Sequence, residues 1–501
     1  MEKRKEERGV IMAVYALFGA WGLLVFTHIL FLSGDQYISK QEFASPFLLL
    51  PAGLLVLFAL NELLRRGRRA ADWGGTPVIL GLLFLLLQIV LMRLYYFYTG
   101  WDVKGIIAAA QQAAYGVPVD AYPFSVYPNN LLLCVLFSHL LRLGYRLGLS
   151  QYDAYFLLLV LQSGLCFLAG LLCWRVCFLL TGNRHCALAG QAMYLLLIGL
   201  SPWISIPSSD AVGLVFPIAM VCLYLEPIRK SRRNALRWGA LGFLAWLGGK
   251  IKPTVLIVLI AIVLVELLPP FSEGTLRTLG MKILFLGLGV LACALVVRLA
   301  CADFGYETDP EKAFGPAHFL AMGLNEQTMG SWSKEDVEYS ASFPTARERT
   351  EGDLKLARER LSRMGLSGLL RQWKRKILGN YNDGSFSWAK EGGFFDQTLE
   401  SRNARASAWI RSFYYPDGAH YPLFLNSMQA LWLAVLSLAF AASLTKRRKE
   451  VSVLFVTLLG SALYGLLFEV RARYAFVFAP LYVALAMLSL RTIREARRKS
   501  A

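Results

Sequence analysis

Two aspartates have the settings in which a carboxylate does chemistry. Asp102 stands in Tyr98-Thr99-Gly100-Trp101-Asp102-Val103, at the end of an apolar stretch, where it can meet both lipid and water. Asp210, in Ser208-Ser209-Asp210-Ala211, occupies a short gap between two further apolar stretches. The charge pattern assigns both gaps to the same membrane side, and two acids facing one outer cavity suggest an active site. Asp210 has a second reading, since Ser208-Ser209-Asp210 directly precedes an apolar helix and suits an N-cap; capping and function are compatible. Four cations, Lys250, Lys252, Arg471 and Arg473, fall at span ends on that same side, with Glu469 beside the last two.

The elements that must position these residues follow from composition. The chain has 501 residues, 56% hydrophobic and 17% charged, and its mean hydropathy is +0.48, more apolar surface than a soluble core requires. It therefore reads as an integral membrane protein. A spanning helix needs about 20 apolar residues, and open sheet edges cannot be satisfied in hydrocarbon, so the spans are expected to be helices. The predicted spans are residues 9–33, 44–63, 77–98, 152–180, 187–203, 211–226, 236–250, 253–268, 282–300, 421–444, 451–468 and 474–490.

The formal net charge of +18 does not point to a nucleic-acid partner, because the basic residues cluster at particular span ends. These clusters are Lys3 to Arg8, Arg65 to Arg69, Arg184-His185, Lys230 to Arg233, Lys446 to Lys449 and Arg491 to Lys499. Placing them all in the cytoplasm gives about twelve crossings with both termini inside. The run 129–149, interrupted by His139, Arg142 and Arg146, would invert the later clusters if it crossed, so it is expected to lie in the outer interface. A plain span with polar interruptions is the alternative. The N-terminal apolar segment is too long for a signal peptide and reads as an uncleaved first span.

The chain divides into an N-terminal two-helix hairpin (1–70), a transmembrane core (71–300) whose first outer loop is 99–151, an extracytoplasmic loop domain (301–420), and C-terminal transmembrane helices with a basic tail (421–501). Residues 345–378 carry the pattern of amphipathic helices, while Gly379 to Gly384 and Glu391 to Phe395 read as loops. The fold class is thus an all-α polytopic membrane protein with an outer interfacial helix and a mostly helical outer domain. The eight cysteines lie in or at the ends of apolar segments without metal-ligand spacing, which predicts no disulfide framework.

The order of short motifs resembles the GT-C glycosyltransferases, in particular the protein O-mannosyltransferases and the aminoarabinose transferases of lipid A. The matching features are Asp102 in the first large outer loop, then Tyr127-Pro128-Asn129-Asn130 opening the interfacial helix. Ser201-Pro202 with Asp210 follows, then Lys252-Pro253-Thr254, and finally Arg473-Tyr474 with Pro480 beyond. The resemblance spans residues 77–490 as an ordered series. It departs from the family in the extra hairpin at 9–63 and in a single acid where the mannosyltransferases have an acidic pair.

What the resemblance implies is an inverting transfer of a sugar from a polyprenyl-phosphate donor to a cell-envelope acceptor on the extracytoplasmic face. Asp102 would be the base that removes the acceptor's hydroxyl proton, and Asp210 a second carboxylate that orients the acceptor. Lys250, Lys252, Arg471 and Arg473, with Glu469, would bind the leaving phosphate, Tyr127, Asn129 and Asn130 would belong to the substrate site, and His318 could contact phosphate or sugar. The cations also have a plain reading, snorkelling to lipid headgroups or pairing with Glu469. Membrane lipid is a further expected partner. No cofactor is required, and a divalent cation between two carboxylates and a phosphate lacks a supporting ligand cluster. A lipid or sugar transporter (flippase) and an O-antigen-ligase-like polysaccharide ligase or polymerase remain the other classes; the first usually shows repeated halves, the second would not need Asp102.

Overall fold

The computed structural model describes residues 2–67, 73–227, 231–268, 273–302, 308–390, 395, 397–399 and 401–500. Its apolar segments are helices, since a helix satisfies its own backbone N–H and C=O groups where no water is available. In chain order they begin with α1 (Glu2–Leu32), α2 (Pro46–Arg66), α3 (Thr76–Tyr95), α4 (Trp101–Ala114), α5 (Asn129–Arg146), α6 (Gln151–Thr181) and α7 (Arg184–Tyr194). There follow α8 (Ser209–Leu225), α9 (Ser231–Ile251), α10 (Pro253–Glu266) and α11 (Glu273–Ala302). The polar domain contains α12 (Pro316–Gly323), α13 (Lys334–Ala341), α14 (Ala346–Tyr381) and α15 (Ala404–Tyr414), and the chain closes with α16 (Tyr421–Ala441), α17 (Lys449–Leu467) and α18 (Ala479–Ser500).

Among the described residues seven helices, α1, α2, α3, α6, α11, α16 and α17, are long and apolar enough to cross a membrane. The other five expected spans are helical too. α8 and α10 are shorter apolar helices, 236–250 lies in α9, 474–490 falls mostly in α18, and 187–203 is α7 continued by a π-helical stretch, Leu195–Gly199. The all-α expectation holds with one addition, an antiparallel ribbon of β1 (Phe97–Tyr98) and β2 (Gln397–Thr398), pairing Phe97 with Thr398 and Tyr98 with Gln397. Strands of two residues have no periodicity to read.

Local chemistry sets the helix ends that matter for the site. α6 starts on Ser150, whose hydroxyl accepts from Asp153 N (3.1 Å), and stops at Gly182 in the left-handed region (φ 63°). α14 opens on Thr345, whose hydroxyl accepts from Glu348 N and donates to the Glu348 carboxylate, and turns at Gly365 (φ 62°), so residues 345–378 form two helical segments as the amphipathic pattern predicts. The loop expected from Gly379 begins later, at Asn382, where the Asp383 carboxylate accepts from the Ser385 and Ser387 amides and holds a turn. The other expected loop, Glu391 to Phe395, lies outside the described residues except for Phe395.

The N-terminal hairpin is built into the bundle. α1 packs on α16 and α17, and α2 on α16 and α7. Where α2 crosses α16 the backbones meet at Gly53, where a Cβ would overlap the Ala430 carbonyl oxygen. In lipid such close packing, not hydrophobic transfer, holds helices together.

Candidate active site

One cavity of 1110 Å³ opens where the polar domain meets the transmembrane core, and Asp102, Tyr127, Asn129, Asn130, Lys250, Lys252, His318, Glu469, Arg471 and Arg473 all line it. Asp210, expected to face the same space, lies behind the wall: it is 1% exposed, and the cavity touches its neighbour Ser209. Its carboxylate is clamped by two of the expected phosphate cations, Lys252 Nζ at 2.5 Å and Arg473 Nη1 at 3.2 Å.

Each of these residues is placed by an identifiable local device. Tyr155 of α6 donates to the Phe97 carbonyl (3.0 Å), which ties β1 to α6, and Arg93 at the end of α3 pairs with Asp153 of α6 (2.7 Å). Directly after β1 the chain passes through Trp101 at φ 66°, an uncommon conformation for a bulky residue, and Asp102 follows in the first turn of α4. Asp102 is exposed to the cavity it lines, yet the protein wall displaces enough water that burial raises its carboxyl above the usual range, with Arg473 opposing.

Asp210 is held by Gln162 of α6, which donates to the Ile204 carbonyl (2.9 Å) and accepts from Ser208 N (3.0 Å). Ser208 then caps α8, accepting from Ala211 N. Pro253 cannot continue α9, so Lys252 sits in an extended break with its Cβ 3.1 Å from where a Cβ on Gly213 would stand.

The remaining charges come from the segment after α17. Glu469 accepts from Arg471 Nε (3.0 Å) and from the Tyr474 hydroxyl (2.5 Å). Burial pushes Glu469 up, but the two arginines and Tyr474 outweigh it and hold the carboxyl below its ordinary value. Rings complete the array: the Arg473 guanidinium lies 4.1 Å from the Trp101 centroid, and Lys252 Nζ lies 4.4 Å from that of Tyr474. Lys250, 5.1 Å from the Trp246 ring, is the exposed member of the four cations.

His318 is 1% exposed and stacks beside Phe314 at 4.3 Å. Its Nδ1 contacts Ser340 Oγ at 2.7 Å, and that hydroxyl donates to Asp353 Oδ1 at 2.7 Å. With the hydroxyl proton committed to Asp353, Ser340 can only accept from His318, so the imidazole carries its proton on Nδ1 and has Nε2 as an acceptor. Burial lowers the His318 pKa to about 4, which keeps the ring neutral at physiological pH.

A sequence profile described as "conserved hypothetical integral membrane protein" matches residues 7–493. The chain belongs to that family. The family description agrees with the apolar helices: this is a multi-pass integral membrane protein. No curated protein matches the sequence. Among solved structures, the chain is similar to the archaeal oligosaccharyltransferase AglB from Archaeoglobus fulgidus, in complex with an inhibitory peptide and a dolichol-phosphate. The identity is 12% and the TM-score 0.35, over 84% of this chain and 52% of AglB. This family member thus spans about half the length of AglB. It is also similar to ArnT from Cupriavidus metallidurans bound to undecaprenyl phosphate, with 14% identity and a TM-score of 0.32 over 84% of this chain and 78% of ArnT.

In this family member the sequence reading missed several groups that shape the cavity. These are Phe314, Trp332 and Tyr464, which line it beside Trp101, Thr254 and Tyr474, residues the motifs contain without a role assigned, and Trp332 is 52% exposed. Trp101 and Tyr474 adjoin predicted residues, a signal adjacency supplied; Trp332 and the Ser340–Asp353 relay sit in the polar domain with no such neighbour. Among the described residues no cluster of three or more His, Cys, Asp or Glu has the spacing to hold a metal ion.

Proposed function

We propose that the protein is an inverting glycosyltransferase that moves a sugar from a polyprenyl-phosphate donor to a cell-envelope acceptor on the extracytoplasmic face. The observation that carries this is one cavity with a desolvated carboxylate, Asp102, near a wall of four cations. The acceptor hydroxyl attacks the anomeric carbon while Asp102 takes its proton. The bond from that carbon to the phosphate oxygen breaks, and the polyprenyl phosphate leaves with the electron pair. A raised carboxyl pKa favours proton transfer near neutral pH, and fixed cations stabilise charge that grows on the leaving oxygen.

In this reading the cations divide the labour. Asp210 orients Lys252 and Arg473 from behind the wall as a positioning residue, and Lys250 and Arg471 face the leaving phosphate. Trp101 and Trp332 offer faces for a sugar ring, and His318 Nε2 accepts from a substrate hydroxyl.

The test is transfer of radiolabelled sugar from a panel of polyprenyl-phosphate sugars in membranes bearing the wild type, Asp102→Asn or Lys252→Ala. Asp102→Asn should lose about 10²- to 10⁴-fold in rate at unchanged membrane insertion. Equal transfer by wild type and Asp102→Asn would sink the base assignment and favour a polysaccharide ligase; no transfer from any donor would direct attention to lipid translocation.

A further inference from the structure

At the other end of the bundle lies a second, unrelated cavity. α18 begins next to the cation segment around Arg473, and its rise of about 1.5 Å per residue carries it roughly 18 to 29 Å away, to Arg491, Arg494 and Arg498. There the C-terminal ends of α2 and α18 meet the start of α7 around a cavity of 290 Å³. Arg65, His185, Arg491, Arg494 and Arg498 line it, with Glu495 the one carboxylate on its wall among the described residues.

The charges do not balance. Glu495 pairs with Arg491 at 2.7 Å. Glu62, behind the wall, is shared by Arg65 (2.5 Å), Arg66 (3.2 Å) and Arg494 (3.4 Å). Among the described residues four arginines thus share two glutamates, and three of them, Arg65, Arg491 and Arg494, face the same small space together with Arg498. Cations held this close repel one another unless an anion joins them. Arginine presents a planar fork that matches phosphate oxygens two at a time, and several forks around a cavity suit a phosphate group better than a single carboxylate. α7 adds the positive end of its dipole, with the Asn183 side chain capping Cys186 N at 2.9 Å and lining the cavity.

We infer that this arginine-lined cavity is a binding site for a phosphate group, separate from the Asp102 cavity and a membrane span distant from it. The ligand is a phosphate ester that either tops an anionic lipid or is free in solution, and basic pockets between helices at a membrane face bind such headgroups.

Thermal unfolding of the purified full chain tests this without any assay of transfer, so its failure is distinct from failure of the catalytic proposal. The protein is measured in nanodiscs of phosphatidylcholine alone, with added phosphatidylglycerol, or with inorganic pyrophosphate in solution. Arg498→Gln, at an exposed helix end, and Arg491→Gln/Arg498→Gln are compared with Arg347→Gln, a charge-matched change elsewhere. Stabilisation by phosphatidylglycerol that shrinks at least severalfold in both Arg498 variants, but not in Arg347→Gln, supports a lipid headgroup. The same pattern with pyrophosphate supports a soluble phosphate. No stabilisation by either, or equal stabilisation in all four proteins, overturns the site.

Discussion

Asp102 and Asp210 share a residue type and a place in the first turn of a helix, and their surroundings separate them. Asp102 opens on the cavity and is short of water, whereas Asp210 is 1% exposed and ion-paired with Lys252 and Arg473. Replacing Asp210 by Asn would remove the carboxylate charge that both Lys252 and Arg473 pair with, so we expect loss of thermal stability together with loss of transfer. Asp102→Asn should lose transfer alone, and parallel melting curves and rate measurements separate the two. His318 yields a pH prediction. Its folded pKa of about 4 lies below the ordinary 6.5, so between those values the unfolded chain binds a proton the folded chain refuses. Stability from this group is therefore present above about 6.5 and falls as pH drops toward 4, by up to about 3 kcal/mol. Melts from pH 7.5 to 4.5 should show a steeper decline in wild type than in His318→Gln; identical slopes would refute it. The lining residues at 102, 127, 250, 252, 471 and 473 were legible because they break apolar runs. The Trp101 backbone and the His318–Ser340–Asp353 relay were not, since the first depends on φ and the second joins residues up to 35 positions apart.

At the scale of elements, the charged segment after α17 is held by the polar domain. Lys376 of α14 donates to the carbonyls of Leu466 (3.0 Å) and Phe468 (2.7 Å), and Asn380 accepts from Arg471 N (3.2 Å) while Val470 N donates to the Gly330 carbonyl (3.0 Å). α14 thus closes the end of α17 and sets the direction in which Glu469 and Arg471 point. Among the described residues Lys376 is buried without a carboxylate in hydrogen-bond contact, and burial lowers its pKa to about 7. Lys376→Met should leave the two carbonyls without their donor, destabilise the fold by about 1–3 kcal/mol, and weaken transfer through displaced Arg471. A variant with wild-type melting and wild-type transfer would show that α14 does not govern this segment. The helices themselves were readable because long apolar runs admit one solution in lipid. The end of α14 was not, because Asp383 fixes the turn through backbone contacts that no periodicity encodes.

For the molecule as a whole, the two cavities lie a span apart, one lined by the predicted catalytic charges and the other by arginines of the expected cytoplasmic ends. Which membrane face each occupies is decided by the charge of the connecting segments, since moving Lys and Arg clusters across a bilayer is disfavoured. Arg65, Asn183 and His185 share the arginine cavity and Arg448 donates to the Leu180 carbonyl two residues before Gly182, so these basic ends fall on one side, as a parity with 129–149 in the interface expects. A single cysteine read by a membrane-impermeant maleimide on intact cells tests this directly. Lys355→Cys, exposed on α14, should label, and Arg447→Cys, exposed between α16 and α17, should label only after the membrane is permeabilised. The reverse pattern would invert the topology and place the Asp102 cavity in the cytoplasm, where a transferase acting on the cell envelope would find no acceptor. Labelling of both positions on intact cells would mean that the segments joining them cross the membrane an even number of times, contrary to the span assignment from α14 to α17.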